Sequence, residues 1–367
     1  MGGCWKGSPT RGKGAKTLKD KKSRKKVLLN AGIFAAVFAL TVWAVFRGED
    51  MAALADALRG ARPQPLLAAA LCVVVFIAGE GIILRWMLRS YGVRLRPGRG
   101  FLLSSVGFFF SAVTPSAGGG QPMQVYFMHR EKIPVPVSAV TLMVITITYK
   151  LVLIVIGVGV ALFAGDFLRG CLSGVWFWFY LGLALAAGWV ALLLILVFRP
   201  GLAKSLLAWG LGVLEKLRIL RPKPERADRL TASMEKYSET SDYLKNHIPL
   251  ILGVFAVTVA QRLSLFSVTW FVCRSLGLTE VSWTAAVILQ ATIAICADML
   301  PLPGGMGISE GIFLAIFSGV FGSLVLPGMI LSRGLEYYTR LFISAVFSLT
   351  AAFAFGVIGR RKTEKED

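Results

Sequence analysis

The sequence predicts an all-α polytopic membrane protein. It has about six full spans plus two Pro/Gly-broken re-entrant hairpins in opposite orientation, a pseudo-inverted repeat. Three observations predict this. First, the 367 residues are 56% hydrophobic and only 16% charged, against about half and about a quarter in a soluble domain. Second, uncharged apolar runs such as residues 27–46 and 170–198 are long enough to cross a hydrocarbon core of about 30 Å as helices. They lack the alternation that a transmembrane barrel requires. Third, two apolar stretches, one in each half of the chain, are interrupted by proline and glycine clusters. Paired interruptions of this kind are the sequence sign of an inverted-repeat transporter.

The elements follow in order. Residues 1–26 hold ten Lys or Arg and one acid, a disordered basic tail able to touch anionic lipid. Residues 27–46 form the first span. They are too long for a signal-peptide core and lack a cleavage site. A short amphipathic piece at 51–58 precedes span two at 65–84, which is interrupted only by Glu80. Residues 85–99 carry five arginines and no acid. The first broken hairpin, 101–128, breaks at "TPSAGGGQP", and a span containing Lys150 follows at 133–165. After the span at 170–198 comes the long polar loop 199–247. There, apolar residues at 202, 206, 207, 211, 214 and 217 suit either a helix lying on the membrane surface or a solvated connector. A span containing Arg262 follows at 248–273, then the second broken hairpin at 281–317 with "LPLPGGMGISEG", and a last span at 333–359. The membrane domain covers 27–358, and 359–367 is a charged tail.

Charge sets the expected orientation. Each hairpin enters and leaves on one side, so one face collects residues 1–26, 85–99, 129–132, 199–247 and 360–367. Their Lys and Arg number ten, five, two, ten and four. The other face collects three, one and one, from 47–64, 166–173 and 274–284. The positive-inside bias places both termini in the cytosol, in a multi-pass protein of the plasma membrane. The net charge of +20 follows this topology and is no sign of a nucleic-acid partner. Five cysteines without CxxC spacing and two histidines give no metal site, and no cofactor motif is present.

The two breaks carry the functional reading. Irregular backbone is not tolerated against lipid; it survives inside protein or along a wet cavity. A half-helix that starts there points bare N–H groups and its dipole at the cavity, an arrangement that attracts phosphate or carboxylate. Glycines allow close approach. The candidate head-group site therefore takes Pro115, Gly118, Gly119, Gly120 and Gln121 from the first break, and Pro303, Gly304, Gly305, Gly307 and Glu310 from the second. Close helix packing by small residues explains the glycines equally directly. Charges within spans cost at least about 2.5–3.5 kcal/mol each at mid-bilayer, so they face the interior and pair. Arg333 and Arg340, seven apart on one helix face, join the set, with a Glu310–arginine pair expected. Glu80, Lys150, Arg262, Asp298 and Glu336 are secondary candidates, and Glu80 is expected to pair with Arg85. Arg333 opens the last span, where snorkelling to the interface is an alternative role.

"TPSAGGGQPMQVYFMHR" (114–130), "LPLPGGMGISEGIFLAIF" (300–317) and "RGLEYYTRL" (333–341) resemble the signature segments of the lysylphosphatidylglycerol synthase transmembrane family. The resemblance spans about residues 27–358 and implies a flippase-like lipid translocase. It carries over Pro115, Gly119, Gly120, Pro303, Gly304, Gly305, Gly307, Glu310 and Arg333. In the best-known relatives the membrane module is joined to a cytosolic aminoacyltransferase, for which this chain shows no sequence. Gln121 and Gln124 replace an acid and a base of the common pattern, implying a changed head group. The expected function is movement of a phospholipid, aminoacyl-phospholipid or polyprenyl-linked lipid between leaflets. The alternative is the membrane component of a lysylphosphatidylglycerol synthase-type lipid-modification system. The partners are membrane lipids with anionic or aminoacylated head groups; a separate synthase and a homo-oligomer stay open. An enzyme acting through Asp298, Glu310 and Glu336 is disfavoured, because no nucleophile–base pair or metal-spaced histidine set accompanies them.

Overall fold

The computed structural model describes residues 51–114, 117–163, 166–216, 225–298 and 307–355. The basic tail, the first predicted span and the C-terminal tail lie outside the described residues, as do Pro115, Pro303, Gly304 and Gly305. The described chain is helical throughout: α1 Met51–Arg59, α2 Pro63–Ser90, α3 Pro97–Val113, α4 Gly120–Arg130, α5 Val135–Phe163, α6 Asp166–Cys171, α7 Trp176–Phe198, α8 Pro200–Lys216, α9 Glu225–Lys245, α10 Ile248–Ser275, α11 Trp283–Ala297 and α12 Ile308–Phe321. A short 3-10 turn, Gly322–Leu324, leads to α13 Val325–Arg333. A π-helical turn, Gly334–Thr339, then joins α13 to α14, Arg340–Ala354. Five segments are long and apolar enough to span a membrane: α2, α5, α7, α10 and the stretch Ile308–Ala354. Their outward faces expose large apolar side chains, including Leu67, Leu71, Val155 and Phe177, each at least 60% accessible. Such a surface belongs in hydrocarbon rather than water.

The central pair is α2 against α10, packed antiparallel. Small residues let the backbones approach: Gly79 faces Gln261, and Gly253 lies under the Trp86 ring. Polar side chains then tie helix to helix, as they do where no hydrophobic drive exists. Gln261 donates to the Phe76 carbonyl at 2.8 Å and Ser264 to that of Cys72 at 3.1 Å. The Arg62 N–H donates to the Ser275 carbonyl and closes the far end of the pair.

Both predicted hairpins form, as helix pairs packed on each other. In the first, Gly107 meets Gln124, and Gly120 meets both Ser111 and the Gly107 carbonyl. The Gln124 amide donates to the Leu103 carbonyl at 3.2 Å. These contacts descend one helix as they climb the other, so α3 and α4 return to the same end. There Arg99 pairs with Glu131. In the second, α11 and α12 pack on each other; residues 299–306 between them lie outside the described set. The two hairpins open at opposite ends of the α2/α10 pair. The first opens beside Arg85, near the end of α2, where Gly81 and Arg85 touch Gly100. The second opens beside the end of α10, where Trp283 donates to Ser267 and Trp270 to the Val281 carbonyl.

Two expectations change. The last span does not open at Arg333: Gly322, at φ +55°, ends α12, and helix resumes at Val325, two turns before that arginine. Arg333 therefore lies inside the bundle rather than at a snorkelling end. The polar loop 199–247, expected to carry one amphipathic helix, carries two in its described parts: α8, where that helix is expected, and α9. Helix α9 caps the bundle through Tyr237 and Ser241, which donate to the Leu196 and Val197 carbonyls at 3.0 and 2.6 Å. Helix α8 leaves Leu202, Leu206, Leu207 and Trp209 exposed, a face that fits the membrane-surface reading.

Candidate functional site

Described residues beside the two breaks are fastened to neighbouring turns of one helix, α5. On α5, Gln121 at the first tip donates to the Thr146 hydroxyl, and Asp298 at the second tip pairs with Lys150. Residues 146 and 150 are one helical turn apart, near the centre of a 29-residue helix. On the last helical stretch, Tyr337 donates to the Ala112 carbonyl at 3.0 Å. One turn earlier, Arg333 donates through Nε to Glu310 at 2.9 Å. Residues flanking both breaks are thus fastened between α5 and the 333–340 segment.

The first tip is built by close approach. Thr114 Oγ1 donates to the Phe110 carbonyl and accepts the Gly119 N–H at 2.9 Å. A Cβ on Gly119 would lie 2.6 Å from the Thr114 methyl, and one on Gly120 2.0 Å from Ser111 Oγ. Both glycines are needed for packing alone. Ala117, at φ +53°, completes the turn, and Gly118 and Gln121 are exposed. At the second tip Gly307 has φ +84° and begins α12. The Glu310 carboxylate accepts the Gly307 N–H at 2.7 Å while its other oxygen takes the Arg333 bond. A capping carboxylate at a helix start satisfies bare N–H groups and complements the dipole. Glu310 is itself the anion at that helix start, and it is buried at 6% exposure.

The remaining charges divide by partner. Lys150–Asp298 and Arg333–Glu310 are ion pairs. Glu80 and Glu336 are hydrogen-bonded by neutral groups. Gln124 donates to Glu80 at 2.6 Å, Gln290 donates to Glu336 at 2.6 Å, and Thr269 lies 3.4 Å from Glu336. Arg340 and Arg262 rest on aromatic rings instead. The Arg340 guanidinium lies 5.6 Å from the Phe76 centroid and 5.9 Å from that of Phe108. The Arg262 guanidinium lies 3.1 Å from the Tyr149 centroid and 5.4 Å from that of Phe266. Arg262 is 2% exposed, and among the described residues its Nε and Nη2 have no hydrogen-bond partner. Ring faces attract these cations, and neither arginine forms an ion pair at contact distance with a described acid.

The expected Glu80–Arg85 pair does not form. Five residues along a helix place two side chains on different faces, and Glu80 turns to Gln124 whereas Arg85 donates to the Leu95 carbonyl at 3.2 Å. Arg333 and Arg340 do not share a face either. The π-helical turn between them takes an extra residue per hydrogen-bonded ring, so Arg333 meets Glu310 on α12 while Arg340 meets rings on α2 and α3. Sequence reading missed the neutral members: Thr146, Tyr149, Thr269, Gln290 and Tyr337. Glutamines in apolar runs were the available signal. The tyrosines and threonines had none, since those residues serve many structural roles.

The chain matches the family model described as the lysylphosphatidylglycerol synthase TM region over residues 28–344. No curated protein matches it. With most of its length covered by that match, on an all-helical membrane architecture, the chain belongs to the lysylphosphatidylglycerol synthase transmembrane family.

Proposed function

We propose that this protein moves a lipid between the leaflets of the plasma membrane. In this reading the head group passes through the polar region where the hairpin tips meet, the acyl chains stay in hydrocarbon, and both termini are cytosolic. The observation that carries the proposal is the convergence of residues flanking both breaks, from opposite ends, onto α5 and the 333–340 segment. Four acids and four bases surround that point: Glu80, Asp298, Glu310 and Glu336 with Lys150, Arg262, Arg333 and Arg340. Intramembrane charge at about 2.5–3.5 kcal/mol or more per residue is a poor investment for structure alone and marks a transport path.

The roles follow from the pairings. Arg340 and Arg262, held by rings rather than carboxylates, suit the phosphate of a phospholipid, aminoacyl-phospholipid or polyprenyl-linked lipid. Glu80 and Glu336, held by neutral donors, suit an amino group on the same head group. The Glu310–Arg333 pair joins the start of α12 to α13 and, in this reading, is the contact that must part for the head group to pass. Gly118 and Gln121, exposed at the first tip, provide the close approach.

The test is reconstitution into liposomes carrying fluorescent phosphatidylglycerol, phosphatidylethanolamine, lysyl-phosphatidylglycerol or a polyprenyl phosphate, read by quenching of the outer leaflet. Wild type accelerates exchange of at least one lipid, and Arg340→Gln slows it about tenfold or more while the fold is retained. No acceleration with any of the four lipids rejects the proposal. Family membership also favours a second reading, a membrane component working with a separate lipid-modifying synthase. Copurification of a soluble transferase that fails when residues 1–26 are removed would support it over transport.

A further inference from the structure

The end of the bundle where the first hairpin opens carries a separate feature. The last turns of α2 place Ile82, Trp86 and Arg89 on one face, at spacings of four and three. The chain then turns at Gly92, φ +82°, and runs back past Arg94 and Leu95. Arg85 fixes this strap by donating to the Leu95 carbonyl, with its stem against Gly100. Between helix and strap lies a cavity of about 480 Å³, lined by Ile82, Arg85, Trp86, Arg89, Arg94 and Leu95. Among the described residues, three arginines and no acid line it. Arg89 and Arg94 are exposed, and among the described residues neither makes an ion pair. A neighbouring cavity of about 530 Å³ contains Arg96 and Arg99, but Arg99 is neutralised by Glu131.

The cavity is graded along the helix axis. Ile82 is 51% exposed on the lipid-facing surface, Trp86 41% exposed one turn on, and the arginines lie beyond. Aliphatic, then indole, then cation matches a phospholipid read from the bilayer interior outward. Acyl chain meets Ile82, glycerol region meets the indole, and phosphate meets the guanidiniums. Soluble anions satisfy only the last of these.

We infer that this cavity holds the head group of an anionic phospholipid, its phosphate between Arg89 and Arg94 and its glycerol region against Trp86. The site uses no residue of the central polar region and does not depend on transport. Basic hollows of this kind at the membrane surface attract anionic lipid at about 1 kcal/mol per arginine.

The test uses the full chain in detergent and reads retained lipid by native mass spectrometry, with phosphatidylglycerol and phosphatidylcholine offered in equal amounts. Wild type retains phosphatidylglycerol preferentially. The Arg89→Gln/Arg94→Gln variant, altered only at exposed positions, binds it about 30-fold more weakly, which at about 1.4 kcal/mol per tenfold equals about 2 kcal/mol. Arg130→Gln, an exposed charge near the same end but outside the cavity, leaves retention unchanged. Equal retention of phosphatidylcholine by wild type, undiminished binding in the double variant, or an equal loss in Arg130→Gln overturns the inference. Full displacement by millimolar inorganic phosphate would assign the cavity to a free anion and overturn the lipid assignment.

Discussion

The Glu310–Arg333 pair gives the sharpest energetic prediction, because both partners are largely shielded and their bonds are defined. The side chains are 8% and 14% exposed, the carboxylate accepting Arg333 Nε at 2.9 Å and the Gly307 N–H at 2.7 Å. Removing one member of a buried pair costs about 3–5 kcal/mol, mostly from the charge left behind. Glu310→Gln keeps an oxygen able to accept one of these bonds, so its cost falls at the lower end, about 3 kcal/mol. Arg333→Gln leaves Glu310 still capping α12 and costs about 3 kcal/mol, the loss of a charge-assisted bond plus desolvated charge. With both replaced, two neutral amides face each other and neither charge is stranded. The double variant then costs about 4 kcal/mol, a coupling of about 2 kcal/mol. A neutral interhelical hydrogen bond in a membrane bundle contributes only about 0.6 kcal/mol, so the cycle separates an ion pair from a polar contact. Unfolding by a detergent titration, followed by tryptophan fluorescence, measures all four proteins. Additivity to within about 0.6 kcal/mol would refute the buried-pair account and the gating role built on it.

Three further outcomes follow from packing. Gly182→Ala places a Cβ 2.2 Å from the Ile295 carbonyl oxygen; with backbone on both sides the helices must part. It costs more than about 2 kcal/mol, whereas Gly159→Ala, with nothing within 4 Å, is neutral or stabilising by up to about 1 kcal/mol in the same titration. Tyr337→Phe strands the Ala112 carbonyl and costs about 1–2 kcal/mol. Amide exchange at residues 110–114 should accelerate, and unchanged exchange would mean that the tyrosine does not hold the tip. Arg99→Gln releases Glu131 at the open end of the first hairpin; with Arg99 about 41% exposed it costs under about 1 kcal/mol. A loss above about 2 kcal/mol would show that this end is more enclosed than the structure indicates.

The amino-acid sequence alone determined the membrane class and the all-helical architecture, and it predicted two broken segments. Hydropathy and proline/glycine chemistry are local properties, readable without knowing what packs where. It also marked most of the charged residues at the centre, because a charge in an apolar run is conspicuous wherever it points. Partner choice was not local. Glu80 and Arg85 are five apart in sequence, yet the helix turns them to different neighbours. Arg333 and Arg340 read as one face until a π-helical turn separated them. Lys150 found its acid 148 positions away, and Tyr337 its carbonyl 225 positions away. Only the tertiary structure brought the residues flanking both breaks to α5 from opposite ends, because that placement depends on how α2, α5 and α10 cross. It also gave the glycines of the first tip a packing reason, and it filled the start of α12 with the protein's own carboxylate. Residue types name the groups that a bilayer makes expensive; the fold alone decides which of them pair with one another and which rest on rings or neutral donors.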